Sequence, residues 1–120
     1  MGRIHNKGQK GEQIARRWIE KHLKVRILET NFRSPFGEID LIGWDNGFFV
    51  FVEVKARFST HCGLPEEAVD ERKKGRIRKI AEFYLMKRGY NPDEVPIRFD
   101  VVAVRVKEGK PEVRYYKEAF

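Results

Sequence analysis

The chain has 120 residues, enough for one domain with a real core. A hydrophobic fraction of 41% argues against disorder, while 25 Lys and Arg against 18 Asp and Glu leave a net charge of +7. That surplus points to a polyanionic partner, nucleic acid before an acidic membrane surface, and no uncharged run approaches the ~20 residues of a membrane span.

In chain order, residues 6–23 place Ile14, Ala15, Trp18, Ile19 and Leu23 at helical spacing. Gly8 and Gly11 point toward the same side, where glycines let a helix approach its neighbour closely, and Glu12 falls at the edge of that apolar face. Residues 25–32 read as a short strand ended by Ser34-Pro35. Two further strands flank the turn signal Asp45-Asn46-Gly47. Residues 58–65 form a loop with Gly63 and Pro65, and residues 66–88 a second helix with Ile77, Ile80, Ala81, Tyr84 and Leu85 as its stripe, stopped by Gly89. Residues 97–106 and 113–116 are strands around the turn Glu108-Gly109-Lys110-Pro111. The order α-β-β-β-α-β-β predicts an α/β domain spanning 1–120, one mixed sheet with helices packed on it.

Cys62 is the only cysteine, so no intramolecular disulfide can form, and a cytoplasmic location is expected. The N-terminus lacks an apolar signal core. His5, His22 and His61 share no metal-ligand spacing, and the adjacent His61 and Cys62 do not make a nucleophile pair, since neighbours in a loop rarely face each other.

The central hairpin carries the chemistry. In "GEIDLIGWDNGFFVFVEVK", Glu38, Asp40, Glu53 and Lys55 interrupt two hydrophobic strands. A two-residue turn at Asn46-Gly47 makes Asp45 face Phe48, sets Asp40 opposite Glu53 and Glu38 opposite Lys55, and puts all four charges on one face with Ile42, Phe49 and Phe51. Ile39, Leu41, Val50, Val52 and Val54 then share the other face. Opposed residues lie about 5 Å apart, where like charges repel, so Asp40 and Glu53 must reach water, share a proton or bind a cation. Hard carboxylate oxygens suit Mg²⁺ or Mn²⁺ better than Zn²⁺. A solvated strand face with a Glu38–Lys55 salt bridge is the alternative.

Asp40, twelve intervening residues, then Glu53-Val54-Lys55 resembles the D-(x)n-E-x-K signature of the PD-(D/E)XK restriction-endonuclease-like nucleases. Gly8…Gly11-Glu12, Asn31-Phe32-Arg33, "GEIDLI", "FVEVKAR", "RFDVV" and the final "EAF" resemble the bacterial YraN-type family, itself similar to archaeal Holliday-junction resolvases. The resemblance implies a restriction-endonuclease-like αβββαβ core, a mixed central sheet flanked by helices, and Mg²⁺- or Mn²⁺-dependent phosphodiester hydrolysis. Asp40 and Glu53 would hold the metal, Lys55 would orient water or steady the charged phosphorane, and Glu12 matches the helix-one carboxylate of resolvase-like members. Where resolvase relatives often follow that Glu with Arg, this chain has Gln13.

Arg72, Lys73, Lys74, Arg76, Arg78 and Lys79 form a dense basic cluster, readable as a phosphate-backbone track or as a solvated helix face. Arg57, on the strand parity of Lys55, and Arg33, just before the hairpin, are candidate phosphate contacts. Glu38 and Asp100 are candidate second-shell carboxylates, though Asp100 can equally pair with Arg98 or cap a helix. The leading expectation is a Mg²⁺-dependent endonuclease acting on DNA, branched or damaged DNA included, with a homodimer left open. The alternatives are a nucleic-acid-binding module of the same fold without efficient catalysis, and an interaction protein whose hairpin charges form a buried network.

Overall fold

Alternating and helical hydrophobic periods resolve into the expected order in the computed structural model, which describes residues 7–57 and 70–120. The elements are α1 (Lys7–His22), β1 (Arg26–Ser34), β2 (Gly37–Asp45), β3 (Phe48–Arg57), α2 (Glu71–Lys87), β4 (Ile97–Lys107) and β5 (Lys110–Tyr116). The strands form one sheet in the order β1-β2-β3-β4-β5, with β3 and β4 parallel and the other neighbours antiparallel. A parallel pair needs a crossover, and α2 lies in it.

Turn chemistry sets the hairpins. Asn46 and Gly47 both take positive φ, 51° and 94°, giving the two-residue turn that matches strand twist. Glu108 and Gly109 do the same at 54° and 77°, so β5 begins at Lys110, earlier than the expected 113. Pro111 is tolerated there because β5 is an edge strand. Helix α2 starts later than expected: Asp70 is extended and its carboxylate accepts the Lys73 N–H at 2.9 Å, so a helix cannot run through it from residue 66. Gly89, at φ 86°, ends it, with the Tyr90 N–H donating back to the Leu85 carbonyl. The loop at 58–65, with His61 and Cys62, and residues 66–69 lie outside the described residues.

The sheet is buried on both sides. Under α2, Ile77, Ile80, Ala81, Tyr84 and Leu85 pack on Ile39, Ile42, Phe49 and Phe51. Under α1, Ala15 and Ile19 pack on Leu41, Val50, Val52, Val102 and Val104. Gly11 explains how closely α1 seats on β3, since a Cβ there would lie 2.5 Å from the Ala56 Cβ. The expected close helix approach is thus real at Gly11.

The α1 face also holds a polar network. Asp100 is fully buried and accepts from Arg98 Nη2 at 3.0 Å, the Glu118 N–H at 2.9 Å and the Tyr115 hydroxyl. Arg98 Nη1 reaches Asp45 at 2.8 Å. The bonds to Asp100 and Asp45 raise the Arg98 pKa despite burial. Burial and the bond to Asp100 raise that of Tyr115.

Candidate functional site

Strand β3 alternates strictly: Phe49 and Phe51 belong to the α2-side core, Val50 and Val52 to the α1-side core. Glu53 and Lys55 continue the first set and face α2. Strand β2 does not alternate strictly. Ile39 and Ile42 both lie in the α2-side core, whereas Leu41 lies in the α1-side core. The phase breaks at Asp40, and Ile39, expected beside Leu41, is on the opposite face.

Strand β1 breaks at the same rung. Thr30 pairs with Leu41 and Phe32 with Ile39, so the register holds while Asn31, between them, turns to φ 53°. Asn is among the few residues that adopt this conformation readily, because its short side chain can bond locally. Matched kinks in adjacent strands release Asp40 and Asn31 from the pleat together.

Hydrogen-bonded pairing of β2 with β3 ends at Leu41↔Val52. Asp40 therefore does not face Glu53 across a ladder rung as expected. Its Oδ2 instead accepts the Val54 N–H at 2.7 Å, supplying an acceptor for a backbone donor beyond the end of the ladder. From α1, the Glu12 carboxyl approaches Asp40 and Asn31, the two residues at the kink, closely enough for each to act on its proton. A cleft of about 270 Å³ opens beside this contact, with Glu12, Gln13, Thr30 and Asn31 in its wall.

Two carboxyl groups in contact share a proton, since both cannot ionise cheaply. Burial first, then the charge of Glu53, pushes the Asp40 pKa up to about 8, against the pull of the Val54 N–H. Burial also raises Glu12, with smaller pushes from Glu38 and Glu53. On the α2 side, Glu53 is buried and holds two ammonium groups on one oxygen. Lys55 Nζ lies 3.4 Å from Glu53 Oε2, and Lys73 Nζ, from the first turn of α2, contacts the same atom. Burial and the neighbouring Lys73 lower the Lys55 pKa. Burial would lower Lys73 too, but its bond to Glu53 and the charges of Glu53 and Asp40 raise it.

The donor set is all oxygen, which is the chemistry of Mg²⁺ and Mn²⁺. Glu12, Asp40 and Glu53 feel one another's charge. Among the described residues, however, no three His, Cys, Asp or Glu side chains are grouped to hold a metal by themselves. The shared proton on Glu12 and Asp40 marks excess negative charge that a cation would neutralise.

The other expected residues divide. Glu38 is exposed and faces Arg33, 3.7 Å away on β1, and not Lys55; it reaches the site only through its charge on Glu12. Asp100 shares the α1 face with Arg98 and Tyr115, opposite Glu53 and Lys55, so its carboxylate holds those two side chains in place and does not back the candidate metal ligands. Arg57 turns its guanidinium to the Ala56 carbonyl at 3.0 Å. The basic cluster is not one track. Lys73 enters the site, Lys74 bonds Glu71 at 3.0 Å, and Arg78 lies over Phe99 and Phe120. Arg72, Arg76 and Lys79 form an exposed stripe, with Arg76 against Gly37 and Lys79 over Phe36. Sequence reasoning missed the kink at Asn31, whose one signal is a β-averse Asn inside a strand.

The chain matches the family described as "Uncharacterised protein family UPF0102" over residues 11–104. It belongs to that family. A UPF0102 protein of Persephonella marina is 47% identical over 98 residues, covering 82% of each chain. One from Syntrophus aciditrophicus is 46% identical over 113 residues, 94% of this chain and 87% of the relative. Another, from Geobacter metallireducens, is 40% identical over 119 residues, 98% and 95% of the two chains. The span matched to UPF0102 takes in Glu12, Asn31, Asp40, Glu53, Lys55 and Lys73, so the whole strand opening lies within the family's own region.

Proposed function

We propose that this UPF0102 protein is a divalent-metal-dependent nuclease that hydrolyses phosphodiester bonds, DNA first. The observation that carries this reading is the contact of Glu53 with Lys55 and Lys73, beside an Asp40 whose carboxyl feels the charges of Glu53 and Glu12, where β2 and β3 part. Mixed charges gathered around a buried carboxylate at the edge of a core stabilise poorly but suit a phosphate and its counter-ion. Asp40 and Glu53 would hold Mg²⁺ or Mn²⁺. When bound, such an ion lowers the pKa of its water and offsets charge on the phosphate.

The chain's own groups do the rest. Lys55, mostly buried and fixed by Glu53, supplies a preorganised donor for the charge that develops on a phosphoryl oxygen. Glu12 holds a proton at Asp40 until a cation takes over the charge. Arg33, Arg72 and Arg76 are exposed on one side of α2 and the β1–β2 hairpin, available to backbone phosphates without reading sequence. The resemblance to Holliday-junction resolvases adds branched DNA to the substrates worth trying first.

The test is incubation with branched, flapped, duplex and single-stranded DNA, and with RNA, in Mg²⁺ or Mn²⁺. Cleavage is expected, lost in Asp40→Asn and Glu53→Gln. Cleavage that survives both substitutions, or none on any substrate by folded protein, refutes the reading. One observation favours a binding module without catalysis: Glu53 is already neutralised by two lysines. In that case nucleic acid binds and is never cut.

A further inference from the structure

Glu53 has two ammonium partners where one would neutralise it, and they are not equivalent. Lys55 is on the same strand as Glu53, and its side chain is only 12% exposed. Lys73 reaches in from α2, and its side chain is 24% exposed. Its backbone is fixed, because its N–H is tied to the capping carboxylate of Asp70. Its side chain is a flexible four-carbon stem carrying a point charge. Lys73 can therefore leave Glu53 by rotating side-chain bonds alone, with no movement of α2.

An ammonium and a divalent cation on Glu53 Oε2 repel and compete for the same lone pairs, and Lys73 sits nearer that oxygen than Lys55 does. Among the described residues, Lys55 and Arg57 at the same end of β3 offer no substitute: Lys55 is held 3.4 Å from the same oxygen, and Arg57 is bonded to a carbonyl. Resting on the metal-dependent reading above, we propose that Lys73 is a built-in occupant of the cation position on Glu53. A divalent ion binds there only as Lys73 withdraws, and the withdrawn ammonium turns to the phosphate of bound nucleic acid. Lys73 is thus a positioning residue that couples metal uptake to the polyanion. It gives the exchange its direction: without phosphate to receive it, Lys73 returns to Glu53 and opposes the metal.

The experiment is Mn²⁺ binding to the whole protein without nucleic acid, read as free Mn²⁺ by electron paramagnetic resonance. Variants are Lys73→Met and Lys73→Gln, with Lys79→Met as a control that removes the same charge from the same helix outside the site. Both Lys73 variants should bind Mn²⁺ about tenfold or more tighter than the parent, the scale of one close charge pair, while Lys79→Met stays within about twofold. Either Lys73 variant alone suffices if the other fails to fold. Equal or weaker Mn²⁺ binding by a folded Lys73 variant overturns the inference. If the parent binds Mn²⁺ and Asp40→Asn does not, that failure leaves the metal site standing. If no variant nor the parent takes up Mn²⁺, the inference and the metal-dependent reading fall together.

Discussion

Replacing Asp40 with Asn removes a charge but keeps an oxygen that can accept the Val54 N–H. In the folded chain Asp40 ionises only near pH 8, against an ordinary value of 3.8, first because burial strips its water and next because Glu53 is close. The sign follows from proton linkage. The folded state holds a proton that the unfolded chain gives up, so the site's stability is intact below the ordinary carboxylate range. It is lost progressively as pH rises through about 8. At pH 7 roughly three pH units of that loss have accrued, at about 1.4 kcal/mol each, which caps the gain from Asp40→Asn near 4 kcal/mol.

An amide does not reproduce every contact of the protonated carboxyl, which trims that cap. A gain of about 1–3 kcal/mol is expected, or roughly 4–10 °C in Tm for a chain of this size. The assay is thermal melting from pH 4 to 9 in chelator. Parent and variant should melt together near pH 4 and diverge steadily to pH 8, with the variant higher. Adding Mg²⁺ should raise the parent and leave the variant unmoved. A variant that melts below the parent at pH 8, or one offset equally at both ends, refutes the buried-charge account.

Other expectations are more local. Gly11→Ala should cost about 1–2 kcal/mol despite better helix propensity, because its Cβ meets that of Ala56, and Ala56→Gly in the same chain should restore most of the melting temperature. Arg98→Met should cost about 3–5 kcal/mol by stranding the buried Asp100 charge, measured by denaturant melts; a near-neutral result would mean the network is wetter than its burial indicates. For duplex DNA, Arg72→Ala and Arg76→Ala should each flatten the slope of log affinity against log salt by about 0.9, whereas an unchanged slope removes them from the interface. Lys55→Met should lower any cleavage rate at least about 100-fold, or about 2.7 kcal/mol of barrier, with DNA affinity nearly intact.

Much of this was legible because local chemistry and tertiary structure agree. The helical stripe around Ala15 and Ile19, the Asn46-Gly47 turn and the Gly89 stop each follow from one residue's conformational preference or a simple period. The start of α2 was less legible, since the helical pattern in the sequence reads back to Glu66 whereas Asp70 is extended. The site's residue types were legible too: charges inside apolar strands have few uses. What strict alternation could not reveal is the break at Asn31 and Asp40, where two strands leave the pleat together without slipping register. A period-two reading carries its phase past such a point and puts Ile39 on the wrong face. Lys73 was likewise hidden among six basic residues, because which of them meets Glu53 depends on how α2 lies over β3.

The two faces of the sheet answer their buried charges in different ways. Asp100 has every lone pair answered by fixed donors, two from Arg98, one from Tyr115 and one backbone N–H, and no small ion could improve on them. On the other face Glu53 shares one oxygen between two ammoniums, and across the strand opening Asp40 and Glu12 divide a proton. Beyond the Val54 N–H on Asp40 and the strand-borne Lys55 on Glu53, this cluster is completed by mobile charges, a proton and the long Lys73 side chain. Both can leave without disturbing the backbone. A sheet that needed those charges for stability would be expected to fix them as it fixes Asp100; one that must exchange them for a cation and a phosphate cannot. The asymmetry predicts where substitutions separate: changes in the Arg98 network should move melting temperature alone, and changes at Asp40, Glu53 or Lys73 should move ion and nucleic-acid binding at little or no cost in stability.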